Sequence, residues 1–450
     1  AYSNGRLACD NEGKILAAEL DIGMDHGAYS WGGDDVMTKP ARFTFFPYNV
    51  PNVAGLVRVA NVNHAFGTAY RSYGSPQAYT LSEPLMDMMA EELGMDPFEF
   101  RYKNICREGD KNINSYVYPQ YPMEKIMDTM RPIYEKAVAD AKAADTPEKR
   151  RGVGIAWGGF NVTEGGGDSA EVALELMPGN KIRKYDTWHA MGQGATTGSL
   201  VVTLEALKEM HLTPEDIQLI QNDTKTCPNA GPAGGSRSQV MSGNACRLAA
   251  ENLVAAMKKE DGTFRTYDEM VAEGLATKYE GNWVTTFCAD HPIDQDTAQG
   301  DPFATYMYTI FLPEVAVNTE TGKVKVEKFT CVADVGTIMN RLLVEGNFYG
   351  GLVQGIGLAL TEDFEDLNHD TSLKNCGIPY PNDAPDDIEL HFNETYRPSG
   401  PYGAAGCGEA PLDAPHPAIL NAIYNATGAR ITRVPARPEK VLAALKELEK

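Results

Sequence analysis

A chain of 450 residues with 43% hydrophobic content can bury sizeable cores, and its length predicts two or three domains rather than one. Its 40 basic and 62 acidic residues leave a formal net charge of −22, which repels phosphate backbones and anionic headgroups and argues against nucleic acid or a membrane surface as partner. No apolar run approaches the roughly 18 residues that span a bilayer and no basic-then-apolar leader opens the chain, so the expectation is a soluble protein.

In chain order, the first element is a hairpin. Arg6 to Cys9 and Ile15 to Ile22 flank a turn at Asp10-Asn11-Glu12-Gly13. No start methionine precedes it, which reads as a split subunit or a piece of a longer polypeptide. A loop rich in glycine, acid and aromatics follows at 25–35, and then an extended stretch at 48–53. Gly67 to Gln77 carries Arg71 and Tyr73 in a Gly/Pro-bounded turn before a helix expected over 81–93, with Leu85, Met88, Met89 and Leu93 on one face. Arg71 suits either an ordinary ion pair or a contact to an anion or carbonyl. Residues 101–150 read as helical and charged, with 137–151 as an exposed helix end and linker. A boundary falls between about 115 and 150.

Beyond it, Ala170 to Leu176 and Lys181 to Tyr185 form a second hairpin around Pro178-Gly179-Asn180. It leads to Met191-Gly192-Gln193-Gly194 and an amphipathic helix expected over 200–212. A strand, a Gly-rich turn and a helix offer backbone amides to an anionic ligand, although tight packing explains such a turn equally well. The strand Ile217 to Ile220 precedes Gly231-Pro232-Ala233-Gly234-Gly235-Ser236-Arg237-Ser238-Gln239, where amides, hydroxyls and a guanidinium can hold a phosphate together. No terminal Gly-Lys-Ser/Thr is present, which excludes a Walker-type nucleotide hydrolase.

A third hairpin pairs Ile310 to Val317 with Val324 to Cys331, and the helix after it contains Gly350-Gly351-Leu352-Val353-Gln354-Gly355-Ile356-Gly357. Glycine inside a helix costs about 1 kcal/mol relative to alanine, so the cluster implies close packing or a ligand. Residues 363–400 read as an irregular excursion, and 437–449 as a closing amphipathic helix. Between them, Gly403-Ala404-Ala405-Gly406-Cys407-Gly408-Glu409 sets one carboxylate at the end of a glycine loop upstream of an apolar helix. Glu409 is a candidate general base, the plain alternative being a cap or a solvated charge. The eight cysteines and eight histidines are dispersed, without C-x-x-C or ligand spacing. They read as reduced, structural residues of a cytoplasmic protein.

Arg71-Ser72-Tyr73-Gly74, Met191-Gly192-Gln193-Gly194, the 228–239 loop, Val353-Gln354-Gly355-Ile356-Gly357 and Gly408-Glu409-Ala410-Pro411-Leu412, together with Glu362-Asp363-Phe364-Glu365-Asp366 and Pro438-Glu439-Lys440-Val441-Leu442, resemble the molybdopterin-binding portion of the xanthine oxidase family of molybdenum hydroxylases. The wording is most similar to the bacterial aldehyde oxidoreductases, and the resemblance covers essentially the whole chain. It implies an α+β fold of two elongated mixed α/β domains. Residues 1–120 would be the C-terminal part of the first molybdenum-cofactor-binding domain and 121–450 the second.

The resemblance further implies a molybdopterin carrying molybdenum, in its cytosine dinucleotide form, held by Gln193, Gly194, Gly235, Ser236, Arg237, Ser238, Gln239, Gln354 and Gly408 with no protein ligand to the metal. Glu409 would be the base in oxidation of an aldehyde with water-derived oxygen, and a carboxylate in a dry pocket has the raised proton affinity this requires. Electrons would pass to [2Fe-2S] clusters on a partner chain or a missing segment, in an oligomer that also includes the rest of the first domain. Arg71 and Tyr73 would line the approach to the metal. Gly32 and Asp35, with Lys39 where the xanthine enzymes have arginine, make the entrance polar, so a purine or another N-heterocycle competes with an aldehyde as substrate. The remaining alternative is a silent scaffold that kept the fold and lost the metal.

Overall fold

The computed structural model describes residues 1–29, 32–63, 67–163, 167–289, 292–294, 296–300, 303–364, 366 and 368–449. Ser30 and Trp31 of the expected entrance loop, and Glu365 of the acidic motif, lie outside these residues. The described strands are β1 (Tyr2–Cys9), β2 (Ile15–Asp25), β3 (Val53–Ala60), β4 (Lys149–Val153), β5 (Ala156–Val162), β6 (Ser169–Met177), β7 (Lys181–Asp186), β8 (Ile217–Gln221), β9 (Lys278–Val284), β10 (Thr305–Asn318), β11 (Val324–Asp334) and β12 (Asp387–Asn393). With 36% helix and 25% strand, the mixed α+β class is the one observed.

The strands make three sheets. The first, β1-β2-β3, is antiparallel across the opening hairpin and parallel from β2 to β3. Asp10 closes its turn by accepting the N–H groups of Glu12 at 3.0 Å and Lys14 at 2.8 Å, and Gly13 takes the left-handed conformation at φ 81°. The second sheet runs β12-β11-β10-β4, and β5 also pairs with β10. Nearly every residue of β10 is buried, because both its faces and both its edges are covered. The third sheet, β8-β7-β6-β9, carries the helix Ser238–Met257 on one face.

One core cluster runs from Ile15 to Val441 and holds residues from both sides of position 120, among them Tyr79, Met86, Trp157 and Ile419. A small satellite of Leu20, Ile22, Met37 and Leu81 lies under the first sheet. The helix Pro415–Thr427 crosses the second sheet so closely that a Cβ on Gly154 would lie 2.0 Å from the Ala418 carbonyl oxygen. That contact requires glycine, and it fixes the helix immediately downstream of Glu409 on the sheet.

Several expectations are corrected. The helix expected over 81–93 spans Ser75–Glu92 and runs through Pro84; Met88 is 42% exposed, and Ala78, Leu81, Met86 and Ala90 form its buried stripe. Glu83 and Asp87, which bind Arg101, share that buried side, and Met88 lies opposite them. Residues 101–150 are not continuously helical. Pro97–Asn104 and Met123–Ala144 are separated by irregular chain, and the supposed linker ends in β4. The helix expected at 200–212 is Ala195–Ala206, because left-handed Gly194 starts it earlier. The irregular excursion contains β12, parallel to β11.

Candidate active site

The candidate base, cofactor-binding and substrate-binding residues line one cavity of about 1050 Å³, whereas Gly32 of the expected entrance does not line it. Asp35, Lys39, Arg71 and Tyr73 come from the segments before and after β3. Gln193 and Gly194 come from the turn after β7, the 235–239 loop from the start of Ser238–Met257, Gln354 from the helix Arg341–Leu360, and Gly408 and Glu409 from the loop before Pro415–Thr427.

Arg71 organises the centre. It donates from Nε to the Gly408 carbonyl at 2.5 Å, from Nη1 to Gln354 Oε1 at 2.9 Å and from Nη2 to the Asn347 carbonyl at 2.9 Å. Burial pulls its guanidinium down from its ordinary value, opposed by the neighbouring Glu409 carboxylate. Ser72 donates to the Glu409 carbonyl at 2.7 Å, and Ser75 donates to Asp413 Oδ1 at 2.7 Å. Arg71, Ser72 and Ser75 thus hold the 408–413 segment at three points. Asp413 is fully buried with Oδ2 lacking a hydrogen-bond partner, and burial pushes its carboxyl well above the usual range.

Gln354 also donates from Nε2 to Tyr70 Oη at 3.2 Å. Gln193 folds onto its own turn, accepting from the Met191 N–H at 2.5 Å and donating to the His189 carbonyl at 2.8 Å, while Asn347 Nδ2 donates to the Gln193 carbonyl at 3.1 Å. The turn itself is anchored below the cavity. Buried Lys184 reaches Asp186 at 3.2 Å and Ser199 Oγ at 2.8 Å, joining β7 to Ala195–Ala206.

In the 235–239 loop the side chains are arranged differently from the expectation. Arg237 directs Nε and Nη2 to Asp168 at 2.7 and 2.6 Å, Nη1 to the Ala230 and Pro232 carbonyls at 2.6 and 2.9 Å, and Nη2 also to the Ser169 carbonyl at 2.7 Å. Its guanidinium ties the loop to the start of β6, so it is a strut, and an anion here would meet backbone N–H groups. Ser236, at φ 52°, turns its hydroxyl onto Glu409. Gln239 Nε2 lies 3.5 Å from Met339 Sδ.

At the other end, Lys39 is buried, donates to Asn161 Oδ1 at 3.0 Å and stands 4.8 Å from the Phe303 ring centre and 5.3 Å from that of Phe160. Asp35, one helical turn earlier, is exposed, and Tyr73 Oη lies 3.4 Å from the Gly32 carbonyl. Burial pushes the Cys407 thiol up to about 11, so it is an uncharged packing group at neutral pH.

Sequence reasoning missed Ser72, Asp413, Asn161 and Asn347. Asn347 was readable: with Gly350 and Gln354 it makes an i, i+3, i+7 stripe facing the cavity. Asp413 follows Glu409 across the single 3-10 turn Ala410–Leu412, a spacing that gives no sequence signal for a shared face.

The donor set suits an anionic organic cofactor. The first turn of Ser238–Met257 lines the cavity with no side-chain cap, leaving N–H groups for a phosphate. Among the described residues no cluster of three His, Cys, Asp or Glu side chains can hold a metal.

These features define a cofactor-binding module, and comparison with known proteins shows the family it belongs to. Residues 1–105 and 130–385 match two models of the molybdopterin cofactor-binding domain. The chain belongs to the molybdopterin-binding domains of the xanthine oxidase family of molybdenum hydroxylases. It is 45% identical to an aldehyde oxidoreductase of Megalodesulfovibrio gigas over 98% of this chain and 49% of that one. It is 26% identical to a protein of Paenarthrobacter nicotinovorans described as 6-hydroxypseudooxynicotine dehydrogenase complex subunit gamma, over 99% and 60% of the two. It superimposes on the crystal structure of the aldehyde oxidoreductase from Desulfovibrio desulfuricans with a TM-score of 0.95 at 47% identity, covering 98% of this chain and 48% of that one. The chain therefore spans about half the length of the aldehyde oxidoreductases it matches.

Proposed function

We propose that this chain is the cofactor-holding catalytic portion of a molybdenum hydroxylase that oxidises an aldehyde to a carboxylic acid with oxygen from water. The observation that carries the reading is Glu409: a carboxylate at the cavity wall, at the end of a glycine loop, beside an arginine that grips the preceding carbonyl. Similarity to two aldehyde oxidoreductases supports the substrate class.

When bound, the molybdopterin supplies the two-electron acceptor and the water-derived oxygen. The chain's residues do the rest. Glu409 takes up one proton at its carboxylate as the new carbon–oxygen bond forms, and a carboxylate serves this end because its proton affinity can be tuned by its neighbours. Arg71 and Ser72 fix the backbone on either side of it. Gln193, Gln354 and the N–H groups of Gly194, Gly235, Ser238, Gln239 and Gly408 surround the space for the cofactor, in its cytosine dinucleotide form. Asp35, Lys39 and Tyr73 line the substrate approach. Residues 1–120 are the end of a first cofactor-binding domain and 121–450 a second. The electrons leave to [2Fe-2S] clusters on a partner chain or further segment of a cytoplasmic oligomer, and a relative described as a complex subunit supports such an assembly.

The test is elemental analysis of the native protein followed by anaerobic reduction with acetaldehyde and, separately, xanthine. Molybdenum near one atom per chain with reduction by acetaldehyde is expected. Reduction by xanthine alone would reassign the substrate, and an active preparation free of molybdenum would overturn the reading. Glu409→Gln should retain molybdenum while losing turnover by about 10²–10⁴-fold, the range of general-base catalysis.

A further inference from the structure

Ser236 makes a contact that cofactor binding does not account for. Its Oγ accepts the Glu409 N–H at 3.0 Å and donates its own proton to Glu409 Oε2. One hydroxyl therefore grips both the backbone and the carboxylate of a residue 173 positions away.

The surroundings are shaped for this contact. Ser236 sits at φ 52°, a left-handed conformation that residues with side chains avoid. A Cβ on Gly406 would lie 2.1 Å from the Ser236 carbonyl oxygen, and one on Gly408 would lie 3.2 Å from Ser236 Oγ, so the glycines of the Glu409 loop let the two loops touch. Buried Arg237, bound to Asp168 and three carbonyls, holds the serine in place from behind.

We propose that Ser236 is a positioning residue for Glu409: its hydroxyl fixes the direction of the carboxylate in the cavity and stabilises its charged form. This rests on the reading of Glu409 as the proton acceptor. A hydroxyl donated to a carboxylate favours the ionised state, and uptake of a proton by Glu409 removes the charge from that bond. Ser236 thereby sets how readily the base takes its proton as well as where it points.

The test uses the full-length protein with Ser236→Ala, Ser236→Gly and Glu409→Gln. Two readouts are followed against pH: the acidic limb of kcat/KM, and the infrared carboxyl band of Glu409, assigned by its loss in Glu409→Gln. Both serine variants should move limb and band midpoint together to higher pH by about one to two units, the worth of a hydrogen bond to a charged group. Both should lower kcat at neutral pH with molybdenum content unchanged. Glycine is at home at φ 52°, so Ser236→Gly keeps the backbone unstrained and separates loss of the hydroxyl from loss of fold. A midpoint within a few tenths of a unit of the parent in both variants overturns the proposal. Loss of molybdenum with an unmoved midpoint also overturns it and assigns Ser236 to cofactor binding. Parent-like turnover in Glu409→Gln would instead defeat the reading of Glu409 as base, a different outcome from any of these.

Discussion

At the scale of the residue, buried titratable groups differ most in how burial treats their charge. Glu362, at the end of Arg341–Leu360, has Oε1 only 2.2 Å from where a Cβ on Gly357 would stand, and burial pushes its carboxyl up to about 7. A carboxyl raised on folding binds its proton more tightly in the native state. Its stabilising contribution is complete below the unfolded value of 4.5 and is lost as pH rises through 7. Glu362→Gln should match the parent in thermal unfolding at pH 4 and exceed its stability at pH 8, by about 1–2 kcal/mol once partial exposure is discounted. Equal differences at the two pH values would refute this. His416 has the opposite sign. Burial lowers it from 6.5 to about 4, with Nε2 near Thr80 Oγ1 and the Pro76 carbonyl, so its contribution is lost as pH falls from 6.5 to 4. Residue types at loop ends made Glu409, Arg71 and Gln193 legible in the sequence, because each stands beside glycines. What those side chains do with their donors was not legible. Arg237 looks the same in sequence whether it holds a phosphate or Asp168, and only the fold brings Asp168 within 2.6 Å.

At the scale of the element, the helix Arg341–Leu360 is placed by its small residues. A Cβ on Gly355 would lie 2.1 Å from Pro415 Cγ, and one on Gly351 would lie 2.4 Å from Pro411 Cβ and 3.0 Å from Arg71 Nη1. Gly355→Ala should destabilise the protein by about 1–3 kcal/mol through overpacking, read as a lower unfolding midpoint. Gly351→Ala adds a displacement of Arg71, so its kcat should fall further than its stability predicts. A Gly351→Ala enzyme with parent kcat would show that the Arg71 contacts do not govern turnover. The glycine cluster implied close packing or a ligand in the sequence, and the three hairpins were readable from alternating apolar residues and turn chemistry. β12 was not, because its partner β11 lies more than fifty residues earlier and its own sequence, flanked by Asp, Asn and Pro, has no hairpin turn to mark it. The first turn of Ser75–Glu92 was hidden by prolines at 76 and 84, which local rules treat as breaks; tertiary packing overrides them.

At the scale of the whole molecule, the cavity depends on how the early and late parts of the chain are joined, and one buried ion cluster makes that joint. Arg101 binds Glu83 at 3.0 Å and Asp87 at 2.6 Å with all three side chains essentially inaccessible. Glu83 also accepts Tyr48 Oη at 3.0 Å and the Trp157 N–H of β5 at 3.0 Å, and its carbonyl accepts Asn421 Nδ2 at 3.3 Å from Pro415–Thr427. The helix carrying Ser75 is thus tied both to the second sheet and to the helix that follows Glu409. Removing the cation alone leaves two carboxylates in a dry interior, so Arg101→Met should cost about 3–5 kcal/mol in denaturant unfolding of the full-length protein. Adding Glu83→Gln and Asp87→Asn removes the stranded charges and should recover part of that loss. Loosening the joint lets Ser72 and Ser75 drift from the 408–413 segment, so the single variant should also lose turnover before it unfolds. An Arg101→Met protein less than about 1 kcal/mol below the parent would mean that the apolar core around the cluster holds the two parts together unaided.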